Sequence, residues 1–113
     1  TAETAAALTE ACGEGMDIRC LCHQGDDVFL VLAGKRHLAT PGDKKLPGRL
    51  FEFDAPTSKL RPHPQDLRLK VPQDTLQMEL DPSGNLWLRR VAAHIDYFTV
   101  VDPNGKHSKI KNR

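Results

Sequence analysis

Two segments of this chain, Asp81-Pro82-Ser83-Gly84 and Asp102-Pro103-Asn104-Gly105, repeat one turn chemistry and constrain the fold more than anything else in it. Each opens with a carboxylate able to accept turn N–H bonds. Proline follows with φ already near the turn value, then a small polar residue, then a glycine free to take positive φ. That order specifies a type I turn closed by a left-handed glycine, a common three-residue hairpin loop. The flanking runs, 76–80, 86–91 and 95–101, have strand length and composition.

The loops also set the strand register. With Pro82-Ser83-Gly84 as the loop, Leu80 faces Leu86, Met78 faces Leu88 and Glu79 faces Trp87, with Arg89 diagonal to Glu79. With Pro103-Asn104-Gly105 as the loop, Phe98 faces Ile110 and Val100 faces Ser108. The returning strand is polar and rich in lysine, the usual protection of an edge strand against unwanted pairing.

Upstream, Thr1 to Cys12 is rich in Ala, Leu and Glu and predicts a short helix over 1–12, ended by Gly13 and Gly15. Met16, Ile18, Cys20 and Cys22 then alternate and predict a strand with all four side chains on one face. A turn at Gln24-Gly25-Asp26 leads to the apolar run Val28 to Ala33, whose two apolar faces predict a central strand. Gly34-Lys35 reads as a turn, and 39–47, with its Thr, Pro, Gly, Asp and Lys residues, as loop. Leu50 to Phe53 reads as a strand, Pro56-Thr57-Ser58 as a turn and Pro62 to Pro64 as a stiff connector. Leu67, Leu69 and Val71 alternate like a further strand. The expected fold is therefore mainly β, or a β-rich α+β arrangement. It is a small antiparallel barrel or sandwich of six to eight short strands in one domain over 1–113, with the helix at 1–12 and the β part at 16–113.

The segments Gly48 to Asp54 and Asp81 to Leu88 resemble strand pairs in the blades of NHL-type or lactonase-type β-propellers. The resemblance covers about a quarter of the chain and rests on hairpin-forming residues. A propeller needs four or more blades of roughly 40 residues, and 113 residues have room for fewer than three. The resemblance therefore implies hairpin geometry alone, and no functional residue is carried over from it.

Chemical signatures are sparse. Cys20, Cys22 and His23 put two thiols and an imidazole within four residues, but tetrahedral zinc needs a second ligand pair with its own spacing. We expect no metal and no cofactor, with Cys20 and Cys22 acting as small buried hydrophobes. Three cysteines make an odd number, which argues against a disulfide framework and for a cytoplasmic or otherwise reducing compartment. Five histidines, with Arg89, Arg90 and Lys106, could compose a metal-independent ribonuclease site, yet no spacing selects any pair of them. Gly13 and Gly15 follow a helix rather than a strand, the reverse of a phosphate loop. Ser58, Ser83 and Ser108 lack a nucleophile-elbow context.

The formal charge is +1, and the basic residues are dispersed except at the C-terminus, where Lys106, His107, Lys109, Lys111 and Arg113 cluster. No apolar run approaches the ~20 residues that span a bilayer. The chain begins at Thr1, from which we expect a processed protein, an excised domain or a chain trimmed of a tag. From these observations we expect a non-catalytic binding module with a protein partner and no membrane span. The binding residues would come from Trp87, Arg89, Lys106, His107, Lys109 and Lys111. The alternative is a nucleic-acid-binding or RNA-cleaving domain that uses the basic C-terminal hairpin.

Overall fold

The computed structural model describes residues 6, 9, 10, 13–92 and 94–110. Most of the helix expected over 1–12, and Lys111 and Arg113 of the basic cluster, lie outside the described residues. The rest is mainly β, in two four-stranded antiparallel sheets that face each other like a sandwich; no closed barrel is found among the described residues. The first sheet runs in chain order through β1 (Met16–Gly25), β2 (Val28–Lys35), β3 (Arg49–Asp54) and β4 (Lys59–Pro62). The second runs through β5 (Gln77–Leu80), β6 (Leu86–Ala92), β7 (Ile95–Val101) and β8 (His107–Ile110). Each sheet has the meander order of a propeller blade.

In the second sheet the hairpin loops place the strands as their chemistry dictates. Leu80 pairs with Leu86, Met78 with Leu88 and Glu79 with Trp87, while Phe98 pairs with Ile110 and Val100 with Ser108. Gly84 and Gly105 sit at φ +86° and +88°. In both turns the leading aspartate side chain accepts from the backbone N–H groups two and four residues on, at 2.8–3.0 Å.

Leu30, Leu32 and Leu50 of the first sheet meet Met78, Leu86 and Leu88 of the second in the shared core, each less than a tenth exposed. Burying a side chain of this size stabilises the fold by about 1.5–3 kcal/mol. β2 lies between β1 and β3 and is apolar on both faces, as its sequence predicts. Its Val31 and Ala33 point away from that core into a second cluster with Phe51.

Several local expectations are corrected. β1 has a bulge: Ile18 pairs with Ala33 but Cys20 with Leu32, so Arg19 is an extra residue. That insertion turns the alternation over. Met16 packs with Val31 and Phe51 in the second cluster, whereas Cys20 and Cys22 face the core between the sheets. The four side chains therefore do not share a face. The β1–β2 turn falls one residue later than expected, with Asp26 and Asp27 at φ 49° and 62°. Gly34 and Lys35 continue β2 rather than turning.

The expected loop at 39–47 contains a short helix, α1 (Pro41–Lys45), capped by Thr40, whose Oγ1 accepts from Asp43 N at 3.1 Å. The alternation of Leu67, Leu69 and Val71 belongs to one helical turn, α2 (Asp66–Leu69), and the left-handed Lys70 that ends it. α2 is anchored to β3 by the buried Asp66, which accepts from Arg49 Nε at 2.5 Å and Leu50 N at 2.6 Å.

Candidate functional site

Alternation along β6 sends Leu86, Leu88 and Arg90 toward the first sheet and Trp87, Arg89 and Val91 away from it. Arg90 is spoken for. Its Nε and an Nη donate to the two oxygens of Asp74 at 2.7 and 3.0 Å in a largely buried bidentate pair. The outer side chains of β6 meet those of their neighbours, Gln77 and Glu79 on β5 and Phe98 and Val100 on β7.

Beside this outer face runs a groove of about 390 Å³ whose walls include Leu21 of β1, Leu76, Glu79, Trp87, Arg89 and Phe98. Three of its apolar side chains are open to solvent: Trp87 is 42% exposed, Leu21 53% and Leu76 52%. Trp87 is nonetheless fixed, because its indole N–H donates to Asp81 Oδ2 at 2.9 Å. That bond, and then the N–H of Asn85, hold the Asp81 carboxyl below its ordinary value, so it stays ionised beside the ring. Arg89 is fixed too. Its Nε donates to Asp96 Oδ1 at 3.1 Å and an Nη to Gln77 Oε1 at 3.2 Å.

Of the six residues proposed from sequence for binding, the structure brings Trp87 and Arg89 into one groove. It does not bring the basic strand to them. Ser108 and Ile110 share the outer face with Trp87, while His107 and Lys109 are directed to the other face of β8. There the His107 imidazole N–H donates to the Leu69 carbonyl at 2.6 Å, tying β8 to α2. Lys106 closes the second hairpin turn by donating its backbone N–H to Asp102, and Lys111 lies outside the described residues. Sequence reasoning missed Leu21, Leu76, Glu79 and Phe98 as groove residues. The hairpin register could have supplied Glu79 and Phe98, but Leu21, which alternates away from the core, reaches the groove because β1 lies beside β5.

The thiols and imidazoles of the sequence reading are dispersed. Burial, reinforced by its Cys22 neighbour, pushes the Cys20 thiol up to about 12, and burial pushes Cys22 up to about 11. Both are protonated at neutral pH and neither is an activated nucleophile. His23 lies on the opposite side of β1 from Cys22, with its ring edge-on to Phe29 at 5.4 Å between centroids. Among the described residues no group of three or more His, Cys, Asp or Glu side chains stands close enough to hold a metal ion.

A smaller cavity of about 190 Å³ opens at the end of the sandwich, between Leu30, Leu69, Leu86 and Val101, with Gln24 and His63 at its wall. Burial holds His63 below its ordinary value against the attraction of Glu52 and Asp66. Its Nδ1 accepts from Gln65 N at 3.0 Å. Burial opposes ionisation of Glu52, but hydrogen bonds from Gln24 and Arg61 outweigh it, and the carboxyl lies below its ordinary value. The polar groups here serve mainly one another.

No helix among the described residues is long and apolar enough to cross a membrane. Comparison of the chain with known protein families, curated proteins and solved structures yields no match.

Proposed function

We propose that this chain is a non-catalytic module that binds a protein partner through the groove beside the outer face of its second sheet. The observation that carries the reading is Trp87, a large aromatic held rigid by Asp81 yet 42% exposed in a concave, mostly apolar setting. A fixed, amphipathic ring of this kind loses little conformational freedom when covered, which is why tryptophan is enriched among the residues that dominate protein–protein affinity. The rim supports the same reading, since Arg89, Gln77 and Glu79 offer polar groups around an apolar floor. The basic C-terminal strand reads as a guarded edge. Its His107 and Lys109 face away from the groove.

The test is selection of peptides that bind the chain from a random displayed library. Selected peptides should lose about 2 kcal/mol of affinity, roughly thirtyfold, with Trp87→Ala, while the unfolding midpoint is retained. They should bind normally to a variant in which Lys106, Lys109 and Lys111 are all glutamine. Peptides indifferent to Trp87→Ala would remove the groove from consideration. Tight binding of a short RNA at physiological salt, with a log–log salt slope flattened by about two to three units in the lysine variant, would establish the nucleic-acid alternative instead.

A further inference from the structure

Resting on the reading of the groove as a protein-docking site, we propose that its occupant is an extended basic segment. A lysine or arginine side chain of the partner lies on the Trp87 indole beside Glu79, and an apolar side chain two residues away meets Leu21 and Leu76.

The charges around the indole point this way. Asp81 accepts its N–H and Glu79 lies across from it on β5, two carboxylates against the single guanidinium of Arg89. Arg89 is already directed at Asp96 and Gln77, so it offers little to an incoming anion. Glu79, cross-strand partner of Trp87, is exposed and has no ion pair among the described residues. The neighbouring strands add no lysine to this face, since β8 contributes Ser108 and Ile110 and turns Lys109 away.

The ring itself favours a cation. The π-face of an indole carries negative potential, and a cation laid over it is held more firmly than over tyrosine or phenylalanine. A carboxylate accepting the indole N–H, as Asp81 does, pushes electron density into the ring and deepens that potential. Trp87 and Glu79 thus form an aromatic floor with an acidic wall, the chemistry suited to the long apolar stem and charged head of lysine or arginine. The occupant is extended because side chains two residues apart then project to one side, matching a groove whose lining holds Trp87 and Glu79 together with Leu21 and Leu76.

Trp87 is the chain's single tryptophan, so its emission reports occupancy directly. The probes are serine pentapeptides carrying leucine and, two positions on, lysine, norleucine or glutamate, titrated into the millimolar range. The lysine peptide should give a saturable change, about fivefold tighter than the norleucine peptide, with the glutamate peptide weakest. Glu79→Gln should weaken the lysine peptide about threefold without moving the thermal midpoint. Equal saturable binding of all three peptides, shown by calorimetry to be lost in Trp87→Ala, would overturn the cation assignment and leave the docking groove standing. Preference for glutamate would likewise overturn it, in favour of recognition by Arg89. No saturable response to any of the three by the folded chain would remove both the groove and its cationic occupant.

Discussion

The hairpin turns at Asp81–Gly84 and Asp102–Gly105 are alike in bonding and different in surroundings. Each aspartate side chain accepts the same two backbone N–H groups, and each glycine N–H donates to the aspartate carbonyl, at 3.0 Å in the first turn and 2.9 Å in the second. The second turn is packed under α2. A Cβ added at Gly105 would come within 2.9 Å of the Arg68 carbonyl oxygen, and Arg68 Nε donates to Asn104 O at 3.2 Å. The first turn is open, the nearest atom to a Cβ at Gly84 being Pro103 Cγ at 3.4 Å. Its aspartate instead accepts from two further side chains, Asn85 and Trp87. Local chemistry determines the shape of such a turn, and tertiary neighbours determine its task. One is a structural joint, and the other is the anchor of the exposed indole.

The largest test of that contrast is Gly105→Val. A β-branched residue would have to hold φ near +88° and also displace the Arg68 backbone. We expect a loss of about 3 kcal/mol in denaturant unfolding. Gly84→Val meets only the backbone strain and should lose about 1–2 kcal/mol. Equal losses at the two glycines would break the comparison, and an unchanged midpoint for Gly84→Val would remove the left-handed turn from the account.

The smallest effect is spectroscopic. Because the Trp87 indole N–H and the Asn85 N–H hold Asp81 below its ordinary value, acidification should change Trp87 emission with a midpoint below that of an unperturbed aspartate. The sign follows from the depressed value. The contribution of Asp81 to stability is present above the unfolded-state pKa and is lost as pH falls through the folded one. Asp81→Asn should abolish this step in the emission, and a step that persists would show that another group controls the ring.

The second sheet was legible because hairpin loops of known length determine register without reference to the rest of the chain. Leu80 against Leu86 and Phe98 against Ile110 follow from counting outward from each glycine. The first sheet was less so, since one extra residue at Arg19 turns over every side chain before it relative to those after it. Nothing in Asp17-Ile18-Arg19-Cys20 announces a bulge. A single helical turn such as α2 is too short to display a period of 3.6, and its Leu67 and Leu69 imitate a strand. The cap of α1 did leave a signal, Thr40 followed by Pro41 and Asp43, hidden by the breaker residues around it.

Trp87 as a candidate was readable from the hairpin. The quenching of Arg89 by Asp96 was not drawn from the sequence, although the β6–β7 pairing of Val91 with Asp96 places that acid diagonally across from Arg89. Leu21, more than sixty residues from Trp87 in the chain, could be found only in three dimensions.

The meander order has a kinetic consequence. Every ladder in both sheets joins strands adjacent along the chain, and all but β2–β3, whose connection spans residues 36–48, close across a short turn at a small cost in loop entropy. Hairpins of this kind form on the microsecond scale. The step that unites distant segments is the meeting of the two sheets, where Cys22, Leu30 and Leu50 reach Met78, Leu88 and Val101. During synthesis the pairing partners of the first sheet have all emerged once Pro62 has left the ribosome. The face carrying Leu30, Leu32 and Leu50 must then wait for the second half of the chain, and that interval is when this protein is most exposed to aggregation.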